Sequence, residues 1–261
     1  MKKCLILVLC LLSLAGCSQR LAYNNLGWLA SYYVSDYVDL TDEQEEKLES
    51  DVESLVAWHR ESELPKYKAH IKTLLKHWHM MSESDMVHMV YTTRNYWYSV
   101  VKAVYPKLQP HLSSLNREQR ESLIENLEEE LLDDDWEEGD QFDRYERWLG
   151  KVTDAQKALI NEYYEQGEFA RQVWRAHEQR RFNQFKQALL LSSEGKISDV
   201  LLQKAIVTNP SDLPARIIEI QERRIREYAA LAVKLKGTMS NKQKVHFKDE
   251  LEDLLELLES L

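Results

Sequence analysis

Leu40-Thr41-Asp42-Glu43-Gln44 decides how this chain is read. An apolar residue precedes a hydroxyl, and an amide follows three residues after it. That order lets Thr41 accept from the free backbone N–H of the third helical residue while Gln44 reaches back to the N–H of Thr41. Leu40 can staple the entry of the chain. The pattern returns as Leu115-Asn116-Arg117-Glu118-Gln119, Val152-Thr153-Asp154-Ala155-Gln156 and Met239-Ser240-Asn241-Lys242-Gln243, with a looser copy in Met81-Ser82-Glu83-Ser84-Asp85. Each contributes about 1 kcal/mol to a helix start. The chain is therefore punctuated by helix beginnings, at a loose recurrence rather than the strict period of a solenoid.

Working outward, apolar residues recur at the 3.6-residue period and strand-like alternation is rare. Leu48, Val52, Leu55 and Val56 form one stripe; Tyr67, Ile71, Leu74, Leu75 and Trp78 form another. A third runs from Met86 to Leu108 and is expected to end at Pro106 and Pro110. Helix is expected from Thr153 to about Leu191 with a kink near Gly167, from Leu213 to Lys236, and through Phe247, Leu251, Leu254 and Leu258. Seven Gly and five Pro in 261 residues are too few for a loop-rich fold. The expected fold class is all-α, a multi-helix bundle of capped amphipathic helices following a signal peptide.

The amino terminus carries an address. Lys2 and Lys3 precede an apolar run from Cys4 to Leu14, long enough for an export signal and too short to span a bilayer. It ends in Leu14-Ala15-Gly16-Cys17, which resembles the lipobox of bacterial lipoproteins. That resemblance implies cleavage between Gly16 and Cys17 and lipid attachment at Cys17. The organisation expected is a signal peptide over 1–16, a lipid-anchored helix over 17–39 and a helical domain over 40–261. Ser18 rather than Asp at the second mature position implies, by the same resemblance, the outer membrane of a Gram-negative envelope, facing the periplasm. Cys4 and Cys10 leave with the signal, so no mature thiol remains for a disulfide or for catalysis. Each buried acyl methylene holds the anchor by about 0.8 kcal/mol. Ser18-Gln19-Arg20 would be a linker of about 10 Å at about 3.4 Å per residue. Beyond it, Ala22, Leu26, Leu29, Tyr33 and Tyr37 recur at helical spacing, flanked by Trp28 and Tyr32. Such aromatics suit a headgroup boundary; the alternative is that this helix packs on the rest of the domain.

Two resemblances follow from motifs already quoted. Leu40 to Gln44, and nearly as well Val152 to Gln156, resemble the LTxxQ motif of the Spy/CpxP family of periplasmic chaperones, which implies a chaperone-like helical binder. Arg20 to Leu26, Asp36 to Gln44, Trp58-His59-Arg60 and Glu63-Leu64-Pro65-Lys66-Tyr67 are similar to a family of uncharacterised proteobacterial lipoproteins with a domain of unknown function. That likeness carries no activity.

Signals for chemistry are sparse. Loss of Lys2 and Lys3 takes the formal charge from −10 to −12, which disfavours nucleic acid as a partner. His70 and His77 lie two turns apart on one face, whereas His77 and His79 point apart, so no metal site is expected. Between Glu128 and Asp140 nine of thirteen residues are acidic. Asp133, Asp135 and Glu137 alternate as in a calcium loop, but Glu138 and Arg144 stand where Gly and a bidentate Glu are required. Arg171, Arg175, Arg180 and Arg181, beside Trp174 and Phe182, form a patch for an anion or a partner, or else pair with the acidic run. Gly-rich phosphate cradles and Gly-x-Ser-x-Gly elbows are absent, and no cofactor is implied. Binding or scaffolding on a membrane, through a protein partner or client, is the expectation. A peptidoglycan-acting hydrolase or transglycosylase, with two acids converging from distant helices, is the enzymatic alternative.

Overall fold

The computed structural model describes residues 16–132, 140–190, 199–207 and 210–261. Among these, twelve α-helices follow one another, with no strand. They are α1 (Gly16–Asn24), α2 (Leu26–Val34), α3 (Asp42–Ser62), α4 (Leu64–His77), α5 (Glu83–Ser114), α6 (Arg117–Leu132), α7 (Asp140–Leu149), α8 (Asp154–Gln166), α9 (Glu168–Leu190), α10 (Asp199–Ile206), α11 (Ala215–Thr238) and α12 (Asn241–Ser260). The all-α class stands.

Every capping motif starts a helix. Thr41, Ser82, Thr153 and Ser240 each close a reciprocal box with the residue three later. Asn116 and Gln119 exchange the same two bonds at 2.9 Å. The staple residues Met81, Leu115, Val152 and Met239 are buried, and Leu40 packs on a core cluster.

The boxes also meet in pairs. Gln119 Nε2 donates to Gln44 Oε1 at 2.8 Å and to the carbonyl of Asp39, two residues before the partner cap, at 2.7 Å. Gln44 returns a bond to the Ser114 carbonyl at 3.3 Å. The second pair repeats this layout: Gln243 Nε2 donates to Gln156 Oε1 at 2.9 Å and to the Lys151 carbonyl at 3.2 Å. Gln156 gives its amide protons to Gln243 Oε1 and Thr238 Oγ1, both at 3.2 Å. Each glutamine thus serves its own helix start and a second helix start far along the chain. Asp85, in the looser copy, is a carboxylate with no N–H to give across.

Three apolar clusters lie around these crossings. Leu112, Leu115, Ile124, Phe182, Leu189 and Leu202 gather near the first; Trp78, Val152, Ile160, Leu231, Leu235 and Leu251 near the second. Tyr23, Leu64 and Leu258 join the two ends of the described chain.

Three helix boundaries differ from expectation. The segment 17–39 is two helices broken at Asn25, whose Nδ2 donates back to the Leu21 carbonyl at 2.7 Å; the helix ends at Val34. Pro106 and Pro110 do not end α5, which continues to Ser114. Lys102 and Pro106 are exposed, so water can take the carbonyl that Pro106 leaves without a donor. Tertiary contacts also hold this turn: Tyr105 is buried and its hydroxyl donates to Asp199 Oδ1 at 2.6 Å. Finally, Gly167 separates α8 from α9 outright. A Cβ there would lie 2.7 Å from the Arg224 guanidinium, which stacks 3.8 Å from the Tyr163 ring centroid.

Candidate functional site

Residues 1–15, the bulk of the expected signal peptide, lie outside the described residues. Gly16 and Cys17 fall in the first turn of α1. The expected extended linker Ser18-Gln19-Arg20 is helix instead, and Gln19 is buried. Helical rise is about 1.5 Å per residue, so Cys17 sits closer to the body than an extended tether would place it.

The helix pair α1–α2 has an unusual polarity. Gln19, Tyr23, Gly27 and Ser31, each four apart, turn inward and are buried. Small and polar residues dominate that stripe because α2 lies close on α3: a Cβ on Gly27 would meet the Glu49 carbonyl oxygen at 3.1 Å. Three of the large apolar side chains point the other way, while Leu26 and Val34 pack on core clusters. Leu21 is 66 % exposed, Trp28 60 % and Tyr32 59 %. The Trp28 and Tyr32 rings stack 5.8 Å apart at 21°. From Leu21 to Ser35 there is no charged residue.

This edge is riveted to the body through residues that the sequence offered only as family likeness. The Tyr23 hydroxyl lies 2.8 Å from His59 Nδ1. Arg60 sits over the Tyr23 ring at 4.9 Å and donates to the Leu261 carbonyl at 3.0 Å. Burial raises the Tyr23 pKa, and the Arg60 charge opposes that rise; burial lowers that of His59. At the break between α3 and α4, Glu63 is wholly buried, and its Oε1 accepts from Lys66 at 2.7 Å and Ser99 at 2.8 Å. Burial pushes neighbouring Tyr67 up to about 12, with the Glu63 charge adding to the rise. The signal for this joint was Pro65, whose position in the first turn of α4 follows the break.

The four candidate arginines separate. Arg171 donates to the Tyr164 carbonyl at 2.7 Å and pairs with Glu168. Arg181 caps the end of α10, giving Nη2 to the carbonyls of Ala205 and Ile206 at 2.8 and 3.1 Å; desolvation lowers its pKa. Both are structural. Arg175 is exposed. Arg180 is exposed too and lines a groove of about 350 Å³ between α9 and α11. Val173, Ala176, Pro214 and Ile217 supply apolar lining, and Arg216 faces Arg180 from the other helix. Arg216 also lies 5.3 Å over the ring of Phe169, half of which is exposed. Neither Arg180 nor Arg216 has a carboxylate within ion-pair distance among the described residues.

The acidic run takes other partners. Glu128 pairs with Lys186 at 2.7 Å, five residues on from the stretch of arginines, because α6 lies against the later turns of α9. Glu125, Glu128 and Glu129 line an open groove of about 520 Å³ beside Lys186 and Leu190. Asp133, Asp135 and Glu137 lie outside the described residues. His70 Nδ1 stands 3.4 Å from the Tyr96 hydroxyl. Among the described residues no three His, Cys, Asp or Glu side chains gather as a metal site, and no helix is long and apolar enough to cross a membrane.

A family of unknown function, DUF6279, matches residues 36–213. No curated protein and no solved structure matches the chain.

Proposed function

We propose that this chain, which belongs to the DUF6279 family of unknown function, is a lipid-anchored envelope protein that binds and scaffolds rather than catalyses. Its anchor is Cys17, and its place is the periplasmic face of the outer membrane. One observation carries the binding role: Arg180 and Arg216 flank an apolar-lined groove without a carboxylate among the described residues to neutralise them. A partner segment that alternates acidic and apolar side chains matches that groove in charge and in hydropathy. Overall the chain is acidic, so this local inversion selects where such a segment docks.

The glutamines of the LTxxQ-like motifs are consumed in the crossed caps, leaving them no client-facing role. A wall-acting enzyme would need two carboxylates facing one cleft. Glu63 is sealed off by Lys66 and Ser99, and the glutamates on α6 stand in an open, solvated groove. Both facts favour the binding role.

The test is photocrosslinking in the envelope from position 172, beside the groove, with position 245 on α12 as the distant control. A discrete adduct from 172 alone, lost when Arg180→Glu and Arg216→Glu are combined, is the expected result. A loss of about tenfold in affinity corresponds to roughly 1.4 kcal/mol. Identical adducts from both positions, or an adduct indifferent to the two reversals, would remove the groove from the function.

A further inference from the structure

We infer that the outer face of α1 and α2 is a membrane-interface surface: Leu21, Trp28 and Tyr32 lie in the headgroup region of the leaflet that holds the Cys17 acyl chains. The inference rests on the lipid-anchor reading and adds an orientation to it, since an acyl chain alone leaves the body free to tumble on its tether.

Four observations select lipid as the occupant. Cys17 precedes Leu21 by four residues, and the intervening chain is helix, so acyl chains at that position enter the bilayer within about 6 Å of axial rise of Leu21. Trp28 and Tyr32 lie four apart on α2, which places them along one helical face, where their rings stack, and exposed Leu21 precedes them on α1. They are the residue types of an interface belt: an aliphatic and two aromatics whose polar N–H and O–H reach water while the rings face acyl chains. The fifteen residues from Leu21 to Ser35 hold no charge that would have to be desolvated, and exposed Arg20 stands at their border, able to meet lipid phosphate.

The polarity of the pair departs from that of an ordinary water-facing helix. A surface helix sends its large apolar residues inward and its polar ones outward. Here the large apolar side chains divide: Tyr23, Leu26 and Val34 pack inward beside Gln19, Gly27 and Ser31, while Leu21, Trp28 and Tyr32 are outside. The edge is also fixed rather than loose, because Tyr23, Arg60 and the Leu261 carbonyl hold α1 to α3 and to the chain end. Contact with the leaflet therefore sets the attitude of the whole body, and with it the direction in which the α9–α11 groove opens.

Acylated full-length protein in phosphatidylethanolamine–phosphatidylglycerol vesicles tests this. Cys17 is blocked by lipid, so a single cysteine placed by Trp28→Cys, Tyr32→Cys or Val245→Cys takes an environment-sensitive nitrobenzoxadiazole label alone. Blue-shifted emission at 28 and 32, quenched by spin-labelled headgroup-region lipid, with position 245 remaining water-like, is the expected result. Circular dichroism of each labelled protein confirms that the helices persist. Water-like emission at 28 and 32 in protein whose mass shows an acylated Cys17 would overturn the inference and leave the anchor intact. An unmodified Cys17 would overturn both. A blue shift already present without vesicles in Cys17→Ser protein expressed without residues 1–16, accompanied by a doubled solution mass, would assign the face to a second copy and equally overturn it.

Discussion

The amino-terminal helix pair and the crossing of α8 with α12 follow the same helical period and place opposite chemistry on the outside. At the crossing, Ile160 is fully buried and Gln156 wholly enclosed, while Glu252 on α12 pairs with Lys248 toward solvent. At the anchor edge Gln19, Tyr23, Gly27 and Ser31 are enclosed while Trp28 and Tyr32 stand free. The first arrangement is what water demands of a helix. The second leaves the stacked rings of Trp28 and Tyr32 open to solvent, beside the proposed anchor at Cys17. Burial pattern, rather than hydrophobicity summed along a segment, separates the two.

The largest effect that would separate these regions is a core deletion at the crossing. Ile160→Ala removes packing from a site with no exposure and is expected to cost about 2–5 kcal/mol, measured by urea unfolding of the non-acylated Cys17→Ser protein. Next comes the crossed cap itself. Gln156→Ala strands the Thr153 N–H and the Gln243 amide in an enclosed site, at about 1–3 kcal/mol, whereas Gln44→Ala at the more open first crossing costs about 1 kcal/mol. Equal losses at the two would mean that the reciprocal glutamine bond, and not its burial, sets its strength.

Acid sharpens the comparison from the anchor side. Burial depresses the pKa of His59 and His70, so the folded state resists protonation more than the unfolded chain does. Their contribution is fully present above the unfolded value of about 6.5 and is lost as pH falls from there toward the depressed folded values. Thermal scans should show Tm decreasing over that window. His59→Asn, which retains a hydrogen-bonding partner for Tyr23, should flatten the decline. The smallest effect belongs to Trp28→Ser combined with Tyr32→Ser. In soluble Cys17→Ser protein these should shift stability by no more than about 0.5 kcal/mol. A larger loss would show that the two rings pack on the body.

The sequence was most legible where a structural decision is local. Thr41, Ser82, Asn116, Thr153 and Ser240 announced helix starts because capping involves only residues three apart; of the likeness read from Arg20 to Tyr67, the family match over 36–213 supports a domain of unknown function and begins after the Arg20 to Leu26 segment. That Gln44 finds Gln119 and Gln156 finds Gln243 was hidden, since a capping box reads the same whether or not its amide has a distant partner. Pro106 read as a stop because the residue itself favours one, while its solvent-facing carbonyl partner and the Tyr105–Asp199 bond belong to tertiary structure. The arginines looked like one patch in the sequence. Helical rotation and the end of α10 divided them, spending Arg181 on carbonyls and leaving Arg180 to line a groove with Arg216, which lies far along the chain. Trp28 and Tyr32 were visible as residue types suited to a membrane boundary; their exposure depended on which stripe of α2 could approach α3, and Gly27 settled that.

Intact mass of the amino-terminal peptide, taken from protein extracted from its native membrane, tests the central claim most directly. The account predicts a peptide that begins at Cys17 and carries a diacylglyceryl group with a further acyl chain on its amine. A peptide that begins at Met1, or a Cys17 with a bare thiol, would contradict it.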